Sequence, residues 1–225
     1  FKKGGKRFAA AIMPQLGHAP WPDVRGMGDD HPARGRALMA IQDAWIGEIL
    51  DVLRATSSLD TTLIVVTSDH GIRTRAEDPG FKGGRISDYS FHVPLLVYAP
   101  TALRAPMKIS WLTSHVDIAP TVLDLLGVKR RQESEQGTPI WDGRLPDRTT
   151  FLLARGYLGA DAYHSRGEFY ALNRLSDAVH RSRTLDFPPA TLLEPGSPDH
   201  AAVIQRLDVM ERLQRRWLSL APPPD

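Results

Sequence analysis

The chain of 225 residues contains no cysteine. That excludes a disulfide framework, a thiolate metal site and a cysteine-derived nucleophile within this stretch. Long apolar runs are also missing: the longest, residues 63–66 and 93–99, fall far short of the roughly 20 residues a membrane-crossing helix needs. No transmembrane segment is expected. An excess of one charge is lacking too, since 28 Lys and Arg stand against 26 Asp and Glu for a net +2. The signs are interspersed except at Lys129, Arg130 and Arg131 and at Arg212, Arg215 and Arg216. Those clusters read as solvated surface rather than as a stripe for nucleic acid. There is no internal repeat, and low complexity is confined to Pro222, Pro223 and Pro224.

What is present is a globular composition, 42% hydrophobic, enough for one substantial core or a core with a smaller appended subdomain. The first residue is Phe1 and an apolar segment begins by Phe8, so further sequence is expected upstream. Lys2, Lys3, Lys6 and Arg7 ahead of that segment mimic a signal peptide, but the apolar stretch is too short and no small-residue cleavage site follows.

Residues 8–13, stopped by Pro14, suit a buried strand feeding a loop with Gly17, His18, Ala19 and Pro20. Residues 22–32 are rich in Gly, Asp and Pro and read as an irregular connection. Over 33–55, Leu38, Ile41, Trp45, Ile49 and Val52 or Leu53 recur at the spacing of one helical face, which predicts an amphipathic helix. Residues 61–67 form a β-branched, nearly continuous apolar run, the pattern of a strand buried on both faces as parallel strands are. A polar loop over 72–88 leads to a second such strand at 93–98, closed by Pro100. Asp117 can cap a helix over 118–126, with Pro120 tolerated in its first turn and Gly127 as its left-handed stop. Segments 149–153 and 168–172 fit a small antiparallel sheet, and 199–220 a terminal amphipathic helix. Helix, strand, loop, strand is an α/β rhythm.

In open α/β sheets ligands gather outside the carboxyl ends of strands, and Asp69 and His70 stand at such an end. A carboxylate oxygen and a neutral imidazole nitrogen both ligate divalent cations, and Gly71 lets the chain turn so that neighbouring side chains converge. By spacing alone, a turn-capping Asp69 with a surface His70 accounts for the pattern equally well. Ser68, Asp69 and His70 do not form a hydrolase triad, because adjacent residues cannot adopt its geometry.

Four blocks decide further. Residues 61–71, TTLIVVTSDHG, resemble the sulfatase segment TLVVFTSDHG; Asp43, Gly47 and Leu53 fall where that family has a D-x-x-x-G-x-x-x-x-x-L helix. Residues 93–100, VPLLVYAP, resemble its VPLLIYAP strand, and residues 114–127, SHVDIAPTVLDLLG, its SHVDIAPTLLDLLG helix. In this order, over residues 18–127, they resemble the carboxy-terminal part of the sulfatase family in the alkaline phosphatase superfamily.

The resemblance implies that Asp69 and His70 are metal ligands in a site that also needs carboxylates from an earlier part of the fold. His18, in Gly17, His18, Ala19, Pro20, resembles the H-x-P loop whose histidine contacts the ester oxyanion or leaving group; a loop histidine with a structural hydrogen bond is the alternative. Lys82, in Phe81, Lys82, Gly83, Gly84, resembles the lysine that binds the ester group, with a solvated Lys82, or Arg85 in its place, as alternatives. His92 and His115 are expected in packing or capping roles. No segment resembles the family's nucleophile.

The expected fold is therefore α/β: an alkaline-phosphatase-like, mostly parallel sheet flanked by helices within residues 1–130, then a small antiparallel sheet and terminal helix within 131–225. The implied activity is metal-dependent hydrolysis of sulfate or phosphate esters in the complete protein, on a small-molecule, glycan or lipid ester. Calcium is the cation expected of a sulfatase. Manganese or magnesium would suit a phosphoglycerol or phosphoethanolamine transferase of the same superfamily, and a truncated, non-catalytic chain is the third reading.

Overall fold

In the computed structural model, residues 7–18, 21–71, 86–129, 136–185 and 190–220 are described. They fall into two compact units, one holding the described residues up to Thr62 and the other those from Leu63 onward. The boundary expected near residue 130 lies inside the second unit.

In the first unit, residues 7–14 form no strand, and Phe8, Ile12 and Met13 are exposed. The buried strand expected at 8–13 is therefore not found: apolar residues alone specify a strand only where a sheet face is there to cover them. A 3-10 turn at Gln15–Gly17 follows, and the Trp21 indole donates to the Gly17 carbonyl at 3.0 Å. Helix α1, His31–Ala55, starts where the Asp30 carboxylate accepts the Ala33 N–H, with Pro32 in its first turn. Trp21 lies against Gly35, where a Cβ would come within 2.8 Å of its ring. The predicted stripe is on the helix, but it buries Leu38 and leaves Trp45, Ile49 and Val52 exposed.

The second unit opens with strand β1, Ile64–Thr67, and then the short helix α2, Asp88–Phe91, and strand β2, Leu95–Tyr98. β1 and β2 pair antiparallel, Ile64 opposite Tyr98 and Thr67 opposite Leu95. The α/β class stands, but the parallel sense expected for these strands is corrected. Apolar, β-branched content specifies a strand and says nothing of its direction. Nor are both faces of β2 covered, since Leu96 and Tyr98 are exposed.

A 3-10 turn at His115–Asp117 leads into helix α3, Ile118–Leu125, which ends as predicted at Gly127 with φ +66°. Beyond it lie β3, Thr150–Ala154; a short helix α4, Arg155–Leu158; β4, Ala160–Ser165; β5, Glu168–Asn173; β6, Val179–Ser182; and β7, Thr191–Leu192. They form a five-stranded antiparallel meander in chain order, larger than the two strands foreseen. Leu152, Ala162 and Ala171 join Ile86, Leu158 and Leu185 in one apolar cluster. Tyr163, Leu172 and Val179 form another with Val203 and Leu207 of the terminal helix α5, Pro198–Leu220. Arg174 ties this layer together, donating to Asp161 and to Asp208, each at 2.8 Å.

Candidate metal-ester site

β1 delivers Ser68, Asp69 and His70 at its carboxyl end, and both candidate ligands are open to solvent, their side chains 78% and 50% exposed. Packing therefore cannot orient them; hydrogen bonds do. The Asp69 Oδ1 accepts the His70 backbone N–H at 2.9 Å, and the Ser68 hydroxyl donates to the His70 carbonyl at 2.7 Å. Desolvation pushes the Asp69 carboxyl up, but the His70 N–H, the adjacent imidazole and the Ser68 hydroxyl outweigh it and hold the group below the ordinary carboxylate value. The carboxylate is thus kept ionised.

The His70 ring nitrogen Nδ1 lies 2.8 Å from the Gly71 carbonyl, which can only accept. Nδ1 must carry the hydrogen, so in the neutral ring the Nε2 lone pair is left for a ligand. That Nε2 is 3.8 Å from Asp69 Oδ2. With ligand bonds of about 2.0 to 2.4 Å, one divalent ion can reach both atoms across such a gap. The residues present therefore fit a cation, as part of its shell: among the described residues no group of three or more His, Cys, Asp or Glu converges on one point.

Gly71 closes the loop. Its N–H donates to the Ser90 carbonyl at 3.0 Å, and a Cβ there would collide with the Tyr89 carbonyl oxygen. On the other side, His115 Nε2 meets the Ser68 carbonyl at 2.8 Å. His115 rides on the turn whose final residue, Asp117, is fully buried. Asp117 accepts from both terminal guanidinium nitrogens of Arg148, Nη1 and Nη2, at 2.6 and 2.7 Å, and from the N–H groups of Ser114 and Thr138, at 2.8 and 3.0 Å. Burial pushes its carboxyl up, but Arg148 and the two N–H donors prevail and hold it below the usual range.

The structure thus brings Asp69 and His70 together. His18 is exposed in the other unit, just after the Gln15–Gly17 turn, and Ala19 and Pro20 of its loop lie outside the described residues. Lys82 and Arg85 lie outside them as well. His92 is held locally, 3.2 Å from Asp88 one turn earlier. The contact of His115 with Ser68 and the pairing of Arg148 with Asp117 were not foreseen. The Ser114, Asp117 spacing of a capping box was a usable signal for the turn, but nothing marks Arg148, 31 residues on, as its partner. Asp69 and His70 also line a cavity of about 1590 Å³, with Tyr98, Trp111, His115 and Phe169 on its walls.

The chain is similar to known proteins in sequence and in fold. The family model described as Sulfatase matches residues 17–128. Arylsulfatase K of Danio rerio is 41% identical over 92 residues, which cover 41% of this chain and 17% of that protein. Arylsulfatase K of Homo sapiens is 37% identical over 92 residues, again 41% of this chain and 17% of the relative. The matched stretch is thus less than a fifth of either relative's length. Among solved structures, a protein in the alkaline phosphatase superfamily from Vibrio parahaemolyticus superposes with a TM-score of 0.58 at 20% identity, covering 89% of this chain and 48% of its own. Another, solved in complex with its substrate D-glucosamine-2-N,6-O-disulfate, gives 0.56 at 19% identity, covering 84% of this chain and 41% of its own. At such identities the two structures speak for the fold, which is that of the alkaline phosphatase superfamily. Over residues 17–128, just under half of its length, the chain is similar to the sulfatase family.

Proposed function

We propose that this chain is the carboxy-terminal part of a sulfuric ester hydrolase and holds a divalent cation through Asp69 and His70. The observation that carries the reading is their geometry: a carboxylate kept ionised and an imidazole with its Nε2 lone pair free, 3.8 Å apart at the end of β1. When bound, the cation supplies positive charge that stabilises the ester oxygens as the bond to the leaving group breaks. Asp69 and His70 orient it. His18 donates a hydrogen bond or a proton to the departing oxygen, and Lys82 offers a compact positive charge to the sulfate. No segment of the 225 residues resembles the family's nucleophile, so the proposed activity is that of the full-length protein. Residues 1–130 belong to the catalytic domain and 131–225 form its appended subdomain. Calcium is the proposed ion, on a small-molecule or glycan sulfate ester.

The test is hydrolysis of an aryl sulfate and an aryl phosphate by the full-length protein, before and after chelation. Aryl sulfate turnover is expected to disappear with chelator, return with calcium, and fall by about two orders of magnitude or more in Asp69→Ala and His70→Ala. Turnover undiminished in both variants would overturn the metal role. Turnover of the phosphate alone would replace sulfate by phosphate chemistry, as in the transferase relatives.

A further inference from the structure

We infer that His115 is a positioning residue for the cation pair, acting through the Ser68 carbonyl; the inference rests on the metal reading of Asp69 and His70. The two candidate ligands are largely solvent-exposed, so their aim depends on the backbone that carries them. That backbone is anchored on both sides. After the pair, the Gly71 N–H is fixed on the Ser90 carbonyl; before it, the Ser68 carbonyl is met by His115 Nε2 at 2.8 Å. A carbonyl only accepts, so Nε2 carries the hydrogen and His115 is the donor. The Ser68 carbonyl belongs to the peptide plane that leads directly into Asp69, so this bond sets the plane from which the Asp69 side chain departs.

A donor can hold that plane only if it is itself held. His115 is exposed, but its turn is fixed from beneath by the buried Asp117 with its four hydrogen bonds to Arg148, Thr138 and Ser114. The chain at Gly137 passes so close that a Cβ there would collide with the Val116 carbonyl, leaving the turn no room to move on that side. The same bond separates His115 from the ligands: with Nε2 donating to Ser68, that nitrogen has no lone pair for a cation. His115 therefore works one step behind the pair.

Calorimetric titration of the full-length protein with manganese and with calcium, each alone, tests this, alongside the thermal midpoint of the cation-free form. His115→Ala is expected to weaken the cation by about tenfold or more while leaving the cation-free midpoint unchanged, since the ring is exposed. His115→Gln, whose side-chain amide places a donor at similar reach, is expected to restore affinity. Wild-type affinity in His115→Ala, with affinity lost in Asp69→Ala, would overturn the positioning role and leave the metal reading intact. A lowered cation-free midpoint in His115→Ala with no rescue by glutamine would also overturn it, as the mark of a merely structural side chain. Undiminished affinity in Asp69→Ala would remove the metal reading and this inference with it.

Discussion

Gly71 shows how much one position can demand. The sequence marks it as a turn after a strand, and the structure adds what no pattern could reveal: the Tyr89 carbonyl oxygen occupies the space of a Cβ. Because that obstacle is backbone, Gly71→Ala must shift the loop that carries Asp69 and His70. We expect a loss of about 1 to 3 kcal/mol in thermal or denaturant unfolding, together with weakened cation binding by calorimetry. A variant as stable as wild type with unaltered affinity would show the loop to be more forgiving. The pair itself was legible, since the order Ser68, Asp69, His70, Gly71 at the end of an apolar run is local. The ring nitrogen left free on His70 was not, because it depends on where the Gly71 carbonyl turns.

Between elements, Asp117 illustrates a role half read. It was expected as a helix cap; its carboxylate does accept the Ser114 N–H at the head of the turn, but it also receives Arg148 from the segment leading to β3. Such long-range partners leave no periodic trace. Arg148→Met would strand a fully buried carboxylate, and we expect it to cost about 3 to 5 kcal/mol in denaturant unfolding. The acid limb of stability follows from the same pair. The Asp117 carboxyl is lowered on folding from its ordinary 3.8, so the unfolded chain binds its proton first. Its contribution is fully present above that value and is lost as pH falls through the lower, folded one. Asp117→Asn should therefore lower stability at neutral pH and flatten the fall at acid pH, as followed by unfolding at stepped pH. The direction of β1 and β2 belongs to this scale as well, since apolar content made both strands legible and their mutual sense invisible.

For the molecule as a whole, the α/β class, the long α1, the α3 stop and the terminal helix were all readable, because each rests on local spacing. Three of the five strands in the antiparallel meander were not. β4 is the clearest case: Ala160–Ser165 mixes small, aromatic and polar residues, and its Asp161 is buried because Arg174 neutralises it from the loop beyond β5. A charge that belongs inside makes a strand look like a surface loop. The run at 8–13 fails in the opposite direction, apolar in sequence and exposed in space. The layer of α5 on the meander gives a prediction of its own. Leu207 is fully buried against Leu172, Val179 and Tyr163, and Leu207→Ala should cost about 2 to 5 kcal/mol, measurable by thermal unfolding of the second unit.

The brace on Ser68 also has a history in time. His115 lies 47 residues beyond the carbonyl it meets, and Arg148 a further 31 beyond Asp117. During synthesis, Asp69 and His70 leave the ribosome long before the arginine that steadies them, so a cation captured early would be only loosely gripped. On the proposed cation reading, tight loading follows the emergence of Arg148 and is not complete when Asp69 and His70 first appear.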